Sequence, residues 1–389
     1  MKNEGMTYRT LQGMKAFSFL ISLLLLAVGC SSSDGTEEKQ PTMLTVYVYS
    51  PEHPMLIRAA IGDVDALAAE SKIDKLQMWI FERGTGNLVG YLNTTATDAL
   101  NSNEGATYQI AVDDDFARYK PNVDIYVLAN VMNSNCGCAF NENSTRDYLK
   151  DHAKLTESHF GLSSLVSTSF FSTEPPGVLP MVGVLNDQPV FGDAPVLRIG
   201  TQNNIATVKL ERAVSKVRFV FANKNITNES AKKLSITGIS LNAQMIPTEE
   251  YLIPQDKTLT YNTSSVSLLP STIDEVEKTD DPLKFIYDGQ AAQAYENSIN
   301  AAVAANELTV VGPYYLRESD QRLAGTISYS VDDVAKTPAT FQMEAAGDFV
   351  RNRSWIVYAY YTGGDYLEIN SLYIKDWTNK SVDYEVYNW

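Results

Sequence analysis

The sequence predicts an all-β protein built from two tandem β-sandwich-like domains with a few short helices. Three observations predict it. Short runs alternate apolar and polar residues, as in Leu44, Val46 and Val48 of MLTVYVYS and in Val208, Leu210, Val217, Phe219 and Phe221 of VKLERAVSKVRFVFAN. A period of two places alternate side chains on opposite faces of a strand. The chain also holds 22 Tyr and 14 Phe, with Thr, Val and Ile recurring in short runs, a composition that suits strands better than helices. Finally, 389 residues at 44% hydrophobic are ample for a packed core and too many for one ordinary domain.

In chain order, residues 1–29 read as an export signal. Lys15 precedes the apolar run 16–28, which is too short to span a bilayer as a helix. The run ends in LLAVGC, so that Gly29 and Cys30 look like a bacterial lipobox with Cys30 as the lipidated residue. An ordinary signal peptide cut elsewhere is the alternative, and Met6 and Met14 are alternative starts. Residues 30–42 are polar and read as a tether.

The first domain is placed at residues 43–225. It opens on the strand 43–50, broken by Pro51 and Pro54. Residues 63–71 fit a short helix or a loop. Strands follow at 73–81 and 88–92 around a Gly-rich turn at 83–87, and again at 124–131. Helical spacing covers 148–162, Pro175 and Pro176 end that region, and LPMVG at 179–183 starts another strand. The stretch 208–223 reads as a strand, or as two strands around a bend at 213–215.

The polar run 223–233 marks the expected boundary, and the second domain is placed at 226–389. Strands are expected at 234–241, 323–331, 340–343, 356–363 and 372–377. Residues 257–277 read as loop with a short strand, and the Ala-rich run 291–308 as a helix. The last nine residues, SVDYEVYNW, alternate again, with Val382, Tyr384 and Val386 on one face.

Several function classes find no support. A net charge of −16 disfavours nucleic acid and anionic lipid as partners. The chain has no phosphate loop, G-x-S-x-G elbow or H-E-x-x-H, and its three histidines are scattered, so neither an enzyme nor a bound cofactor is expected. The acidic runs 113–115 and 332–333 fit solvated turns better than calcium sites. Cys136 and Cys138 fit incidental or buried thiols, a strained bridge, or half of a metal site. Trp79 and Tyr360 fit a core better than a sugar-stacking platform.

Several motifs, taken in order, resemble the Bacteroides-type fimbrillins, the subunits of type V pili. They are IRAA followed by IDKLQMWIF, IYVLANV, LPMVG, the L-x-R-A-V-x-K-V run at 210–217, ITGISLNAQMIPTEEYLIP, GPYYLRES, VRNRSW leading into IVYAYYTG, and LYIKDW. The resemblance covers nearly all of the chain from Cys30 onward. It implies transthyretin-like sandwiches and a lipoprotein precursor held in the outer membrane, then incorporated into a cell-surface fimbria. It also implies cleavage by a trypsin-like, Arg-specific protease, placed here between Arg58 and Ala59, with Arg83 as the competing site. The released strand would carry Leu44, Val46 and Val48, and another subunit's strand would fill the gap. Val382, Tyr384 and Val386 would be the buried side chains of such a donor. The expected partners are other pilus subunits. The alternatives are a tip adhesin and a surface lipoprotein that binds glycans without polymerising.

Overall fold

The computed structural model describes residues 42–49, 70, 72–96, 105–112, 122–131, 139–156, 178–188, 206–225, 232–269, 271–288, 292–342, 350–376 and 386–387. Cys30, Arg58, Ala59, Cys136, Cys138, Val382 and Tyr384 lie outside them, as do the acidic run 113–115 and the signal and tether segments up to residue 41. The described residues are mostly strand, as expected for an all-β chain. Among them no helix is long and apolar enough to cross a membrane.

The first half of the chain contributes β1 (Thr42–Tyr49), β2 (Lys75–Glu82), β3 (Leu88–Thr95), β4 (Ala106–Val112) and β5 (Val123–Ala129). Then come helix α1 (Arg146–His152), β6 (Lys154–Thr156), β7 (Met181–Gln188), β8 (Ala206–Lys209) and β9 (Glu211–Arg212). Five of these strands form a sheet in the order β3-β2-β5-β7-β9, and three form a second in the order β4-β1-β8. The two sheets share a core of Leu44, Val46 and Val48 with Leu76, Met78, Ile80, Ile110, Ile125 and Val127. On the far face of the five-stranded sheet, Trp79, Phe81, Tyr126 and Leu128 pack with Leu149 of α1 and Leu155 of β6. Because β2 and β5 are covered on both faces, they are buried along nearly their whole length instead of alternating.

The second half contributes β10 (Ser215–Lys224), β11 (Leu234–Leu241), β12 (Glu249–Tyr251), β13 (Val266–Ser267), β14 (Lys278–Thr279), a 3-10 turn at Pro282–Phe285 and helix α2 (Ala292–Ala304). It ends with β15 (Thr309–Leu316), β16 (Ala324–Val331), β17 (Val334–Ala335), β18 (Ala339–Gln342), β19 (Arg353–Tyr361), β20 (Glu368–Asp376) and β21 (Val386–Tyr387). One sheet runs β14-β10-β19-β20-β21, with β15 also on β10; the other runs β13-β11-β16-β17, with β18 also on β16. Val217, Phe219, Trp355 and Val357 face Ile236, Ile239, Ile327 and Tyr329 across the core between them. Tyr295, Ile299 and Ala302 of α2 cover the opposite face, against Val220, Ile356, Tyr358 and Tyr360. Both Trp79 and Tyr360 are thus core residues.

The handover between the halves falls at Ala213 and Val214, a bend between β9 and β10. Strand β10, which the sequence reading assigns to the first domain, pairs throughout with β15 and β19 of the second. Two buried apolar residues at the bend explain why no polar linker marks it: Ala213 and Val214 pack with Leu252, Ile253 and Tyr315 of the second half. The helix expected at 148–162 is shorter. Thr145 caps it by accepting from the Tyr148 amide, and after Ala153 the chain is drawn into β6, which pairs with β12 across the junction.

Candidate functional site

The site begins with the strand that the sequence singles out. In β1, Leu44, Val46 and Val48 are fully buried while Thr45 and Tyr47 on the other face are half-buried. Its alternation therefore points one aliphatic row into the core. Strand β1 lies in the middle of its sheet. It runs antiparallel to β4, from Thr42 opposite Val112 to Val48 opposite Ala106, and parallel to β8, from Val46 opposite Ala206 to Tyr49 opposite Lys209. Strands β4 and β8 do not pair with each other in this sheet. Their separation is two inter-strand spacings, about 10 Å, a slot one strand wide.

The floor of the slot is built by close approach. Gly183 of β7 lies beneath β8, where an added Cβ would stand 2.5 Å from Val208 Cγ1 and 2.7 Å from the Lys209 carbonyl oxygen. That is the glycine of LPMVG, and its missing side chain is what lets β8 sit there. At the end of β1 the Leu210 amide donates to the Tyr49 carbonyl at 3.0 Å. Burial, and next the Glu211 charge, push the Tyr49 phenol up from its ordinary value.

Downstream of β1, the first described residue is Glu70, and it is fully buried. Lys216 Nζ donates to its Oε2 at 2.9 Å, the Tyr315 hydroxyl donates to its Oε1 at 2.6 Å, and Arg212 Nε donates to its backbone oxygen at 3.1 Å. Burial, with the Glu70 charge next, pushes the Tyr315 phenol far up, so it remains a donor. Arg212 belongs to β9 of the first half, and Lys216 and Tyr315 to β10 and β15 of the second. The arginine and lysine of the L-x-R-A-V-x-K-V motif are thus the two cations that hold the chain just after the 50–69 segment. Arg58 is the sole Lys or Arg between Lys39 and Lys72.

The competing residue, Arg83, follows β2. Its guanidinium meets Asp124 at 3.1 Å, and Arg146 meets the other oxygen of the same carboxylate at 3.3 Å. Of the residues expected in a donor strand, Val386 pairs with Tyr373 of β20 on the outer side of that strand, within its own chain. Asp332 and Asp333 occupy a tight turn with positive φ, where Asp332 accepts from the Lys233 amide and Asp333 meets Lys233 Nζ at 2.9 Å. Among the described residues no group of acidic, histidine or cysteine side chains is arranged to hold a metal.

A second polar cluster lies within the second half. Glu250 of β12 is buried beside Arg351, 2.9 Å from its Nη2, and Arg351 also pairs with Glu318. The Arg351 guanidinium donates to the carbonyls of Leu252 at 2.8 Å and Tyr251 at 2.7 Å. Burial holds the Glu250 carboxyl well above its ordinary range, against the pull of Arg351.

No family model and no curated protein matches the chain. Solved structures do. A candidate cell adhesion protein from Bacteroides eggerthii is 14% identical over 84% of this chain and 87% of its own, with a TM-score of 0.43. A candidate cell adhesion protein from Parabacteroides distasonis is 14% identical over 85% and 90%, with a TM-score of 0.45. The C-terminally truncated tip fimbrial protein Mfa3 from Porphyromonas gingivalis is 13% identical over 90% and 99%, with a TM-score of 0.41.

Proposed function

We propose that this protein is a structural subunit of a cell-surface fimbria, exported as a lipoprotein on Cys30, cut after Arg58 and assembled by strand exchange through the place of β1. The observation that carries this reading is the central position of the first described strand between two strands that do not pair with each other. Only the 50–69 segment and Glu70 join β1 to the rest of the fold on its downstream side. One cut there would free β1 alone, while Glu70 would hold the new terminal segment in place.

The energetics favour refilling. Withdrawing Leu44, Val46 and Val48 exposes an aliphatic trough worth roughly 1.5–3 kcal/mol per side chain. It also unpairs backbone groups on both β4 and β8. The sum rivals the whole stability of a typical domain, about 5–15 kcal/mol. An emptied slot is therefore a strong acceptor for an extended strand. Cleavage after Arg83 lacks this logic, because it would also cut off β2, which pairs with both β3 and β5.

The test is N-terminal sequencing of the protein taken from cells, beside a gel run without boiling. The expected result is a start at Ala59 and a ladder of heat-labile multimers. A blocked, lipidated Cys30 on a monomer would overturn the reading in favour of an anchored surface lipoprotein.

A further inference from the structure

We propose that the β1 slot is built for a strand with aliphatic side chains at three successive inward positions, and that residues 380–389 of a second copy are not that strand. This rests on the strand-exchange reading above and adds the partner's chemistry to it. The three inward positions hold Leu44, Val46 and Val48, each with no exposed surface. The middle one, Val46, lies opposite Tyr108 on β4 and Ala206 on β8, in the same core as Met78, Ile80 and Val127. Close-packed interiors tolerate volume-conserving exchanges and resist added bulk. A tyrosine there adds an aromatic ring beside Tyr108 and places a second hydroxyl in a core otherwise lined by apolar side chains, where it needs a partner.

Residues 380–389 read KSVDYEVYNW. Seating Val382, Tyr384 and Val386 inward puts the tyrosine in the middle position. Sliding two residues either way buries Lys380 or Asn388 instead. The alternate face offers Ser381, Asp383, Glu385, Tyr387 and Trp389, two of them carboxylates. No register of this segment supplies three aliphatic residues in a row. The outward face disagrees as well. Tyr47 lies against Gly105, where an added Cβ would come within 2.3 Å of the Tyr47 hydroxyl, and the donor register would place Glu385 there.

The test uses the full chain, nicked with trypsin until sequencing reads Ala59, and labelled synthetic strands followed by fluorescence anisotropy. Four strands are compared: residues 40–58, the same strand with Val46→Tyr, residues 380–389, and that strand with Tyr384→Val. The expected result is capture of 40–58, with at least about tenfold weaker capture of 380–389 and of the Val46→Tyr strand, the scale set by overpacking a core. Tyr384→Val is expected to recover affinity. If 40–58 is captured and 380–389 binds within tenfold of it, the slot stands and the selectivity is overturned. If 40–58 itself is not captured, the slot reading falls first.

Discussion

Two strands of this protein share one pairing pattern along most of their length, and the proposed assembly gives them opposite prospects. Strand β1 runs antiparallel to β4 on one side and parallel to β8 on the other. Strand β10 runs antiparallel to β15 on one side and parallel to β19 on the other. Both carry fully buried side chains into a sheet-on-sheet core. They differ in chain position and in what covers them. Strand β10 lies mid-chain, is buried on both faces, and is covered on its second face through α2. Strand β1 carries its aliphatic row on one face, its parallel partner is short, and residues 50–69 separate it from the next described residue. Under the proposed strand exchange, pairing pattern alone therefore would not decide whether a central strand can leave; connectivity and the second face would.

The largest expected effect tests that contrast directly. Phe219→Ala in β10 removes a fully buried ring that packs edge-on to Tyr314 and Phe341 at 6.1 and 5.5 Å. It should cost about 3–5 kcal/mol of stability. Leu44→Ala in β1 should cost about 2–5 kcal/mol in the uncut chain. After a cut at Arg58 and loss of the strand, the Phe219→Ala penalty should persist while the Leu44→Ala penalty disappears. Chemical denaturation of both variants, cut and uncut, reads this out. A Leu44→Ala penalty that survives strand loss would show that residue 44 acts somewhere other than the slot.

Next in size is the junction. Glu70→Gln leaves Lys216, with 3% of its side chain exposed, facing a neutral group. Breaking one partner of a buried ion pair typically costs about 3–5 kcal/mol. Because Glu70 belongs to the first half and its side-chain partners Lys216 and Tyr315 to the second, the loss should also loosen the coupling of the halves, while the Arg212 bond to the Glu70 backbone oxygen remains. Amide hydrogen exchange is expected to quicken in β15 before β2 or β19. A uniform change across both sheets would mean that Glu70 stabilises the fold without joining its halves.

The contrast also explains what the sequence shows and what it hides. The row Leu44, Val46, Val48 is legible because a period of two is a local signal, and so is the bend at 213–215. Strand β4 carries the same signal, with Ala106, Tyr108, Ile110 and Val112 all inward, yet it is absent from the sequence reading despite its regular alternation. The shortened helix α1 is a tertiary effect: β6 exists because β12 is there to pair with it. Least legible is Glu70. Its partners lie 142, 146 and 245 residues away, and nothing in the run 63–71 distinguishes one buried carboxylate from a solvated one. The strand itself is legible, and the resemblance implies that its place is a gap another strand fills; its parallel pairing with β8 is not legible, because that contact spans most of the first half.

The smallest expected effect concerns the β6–β12 pair, which joins the halves at their surface. Lys154 Nζ meets Glu249 Oε2 at 2.6 Å, with both side chains about one-third exposed. Lys154 holds the Glu249 carboxyl below its ordinary value of 4.5, with burial opposing it. A carboxylate whose value is lowered by folding adds stability above its unfolded value and loses it as pH falls through the folded one. The pair should therefore contribute fully near neutral pH and fade below about pH 4.5. An exposed pair is worth only about 0.2–1 kcal/mol. Lys154→Met should lower stability by that amount at pH 7 and by progressively less as pH falls below about 4.5, and added salt should shrink the difference at pH 7. A gap that persists unchanged to pH 3 would assign the effect to the ammonium over the Tyr251 ring, with Nζ 5.5 Å from its centroid. The lysine would then hold this edge of the junction through Tyr251 and not through Glu249.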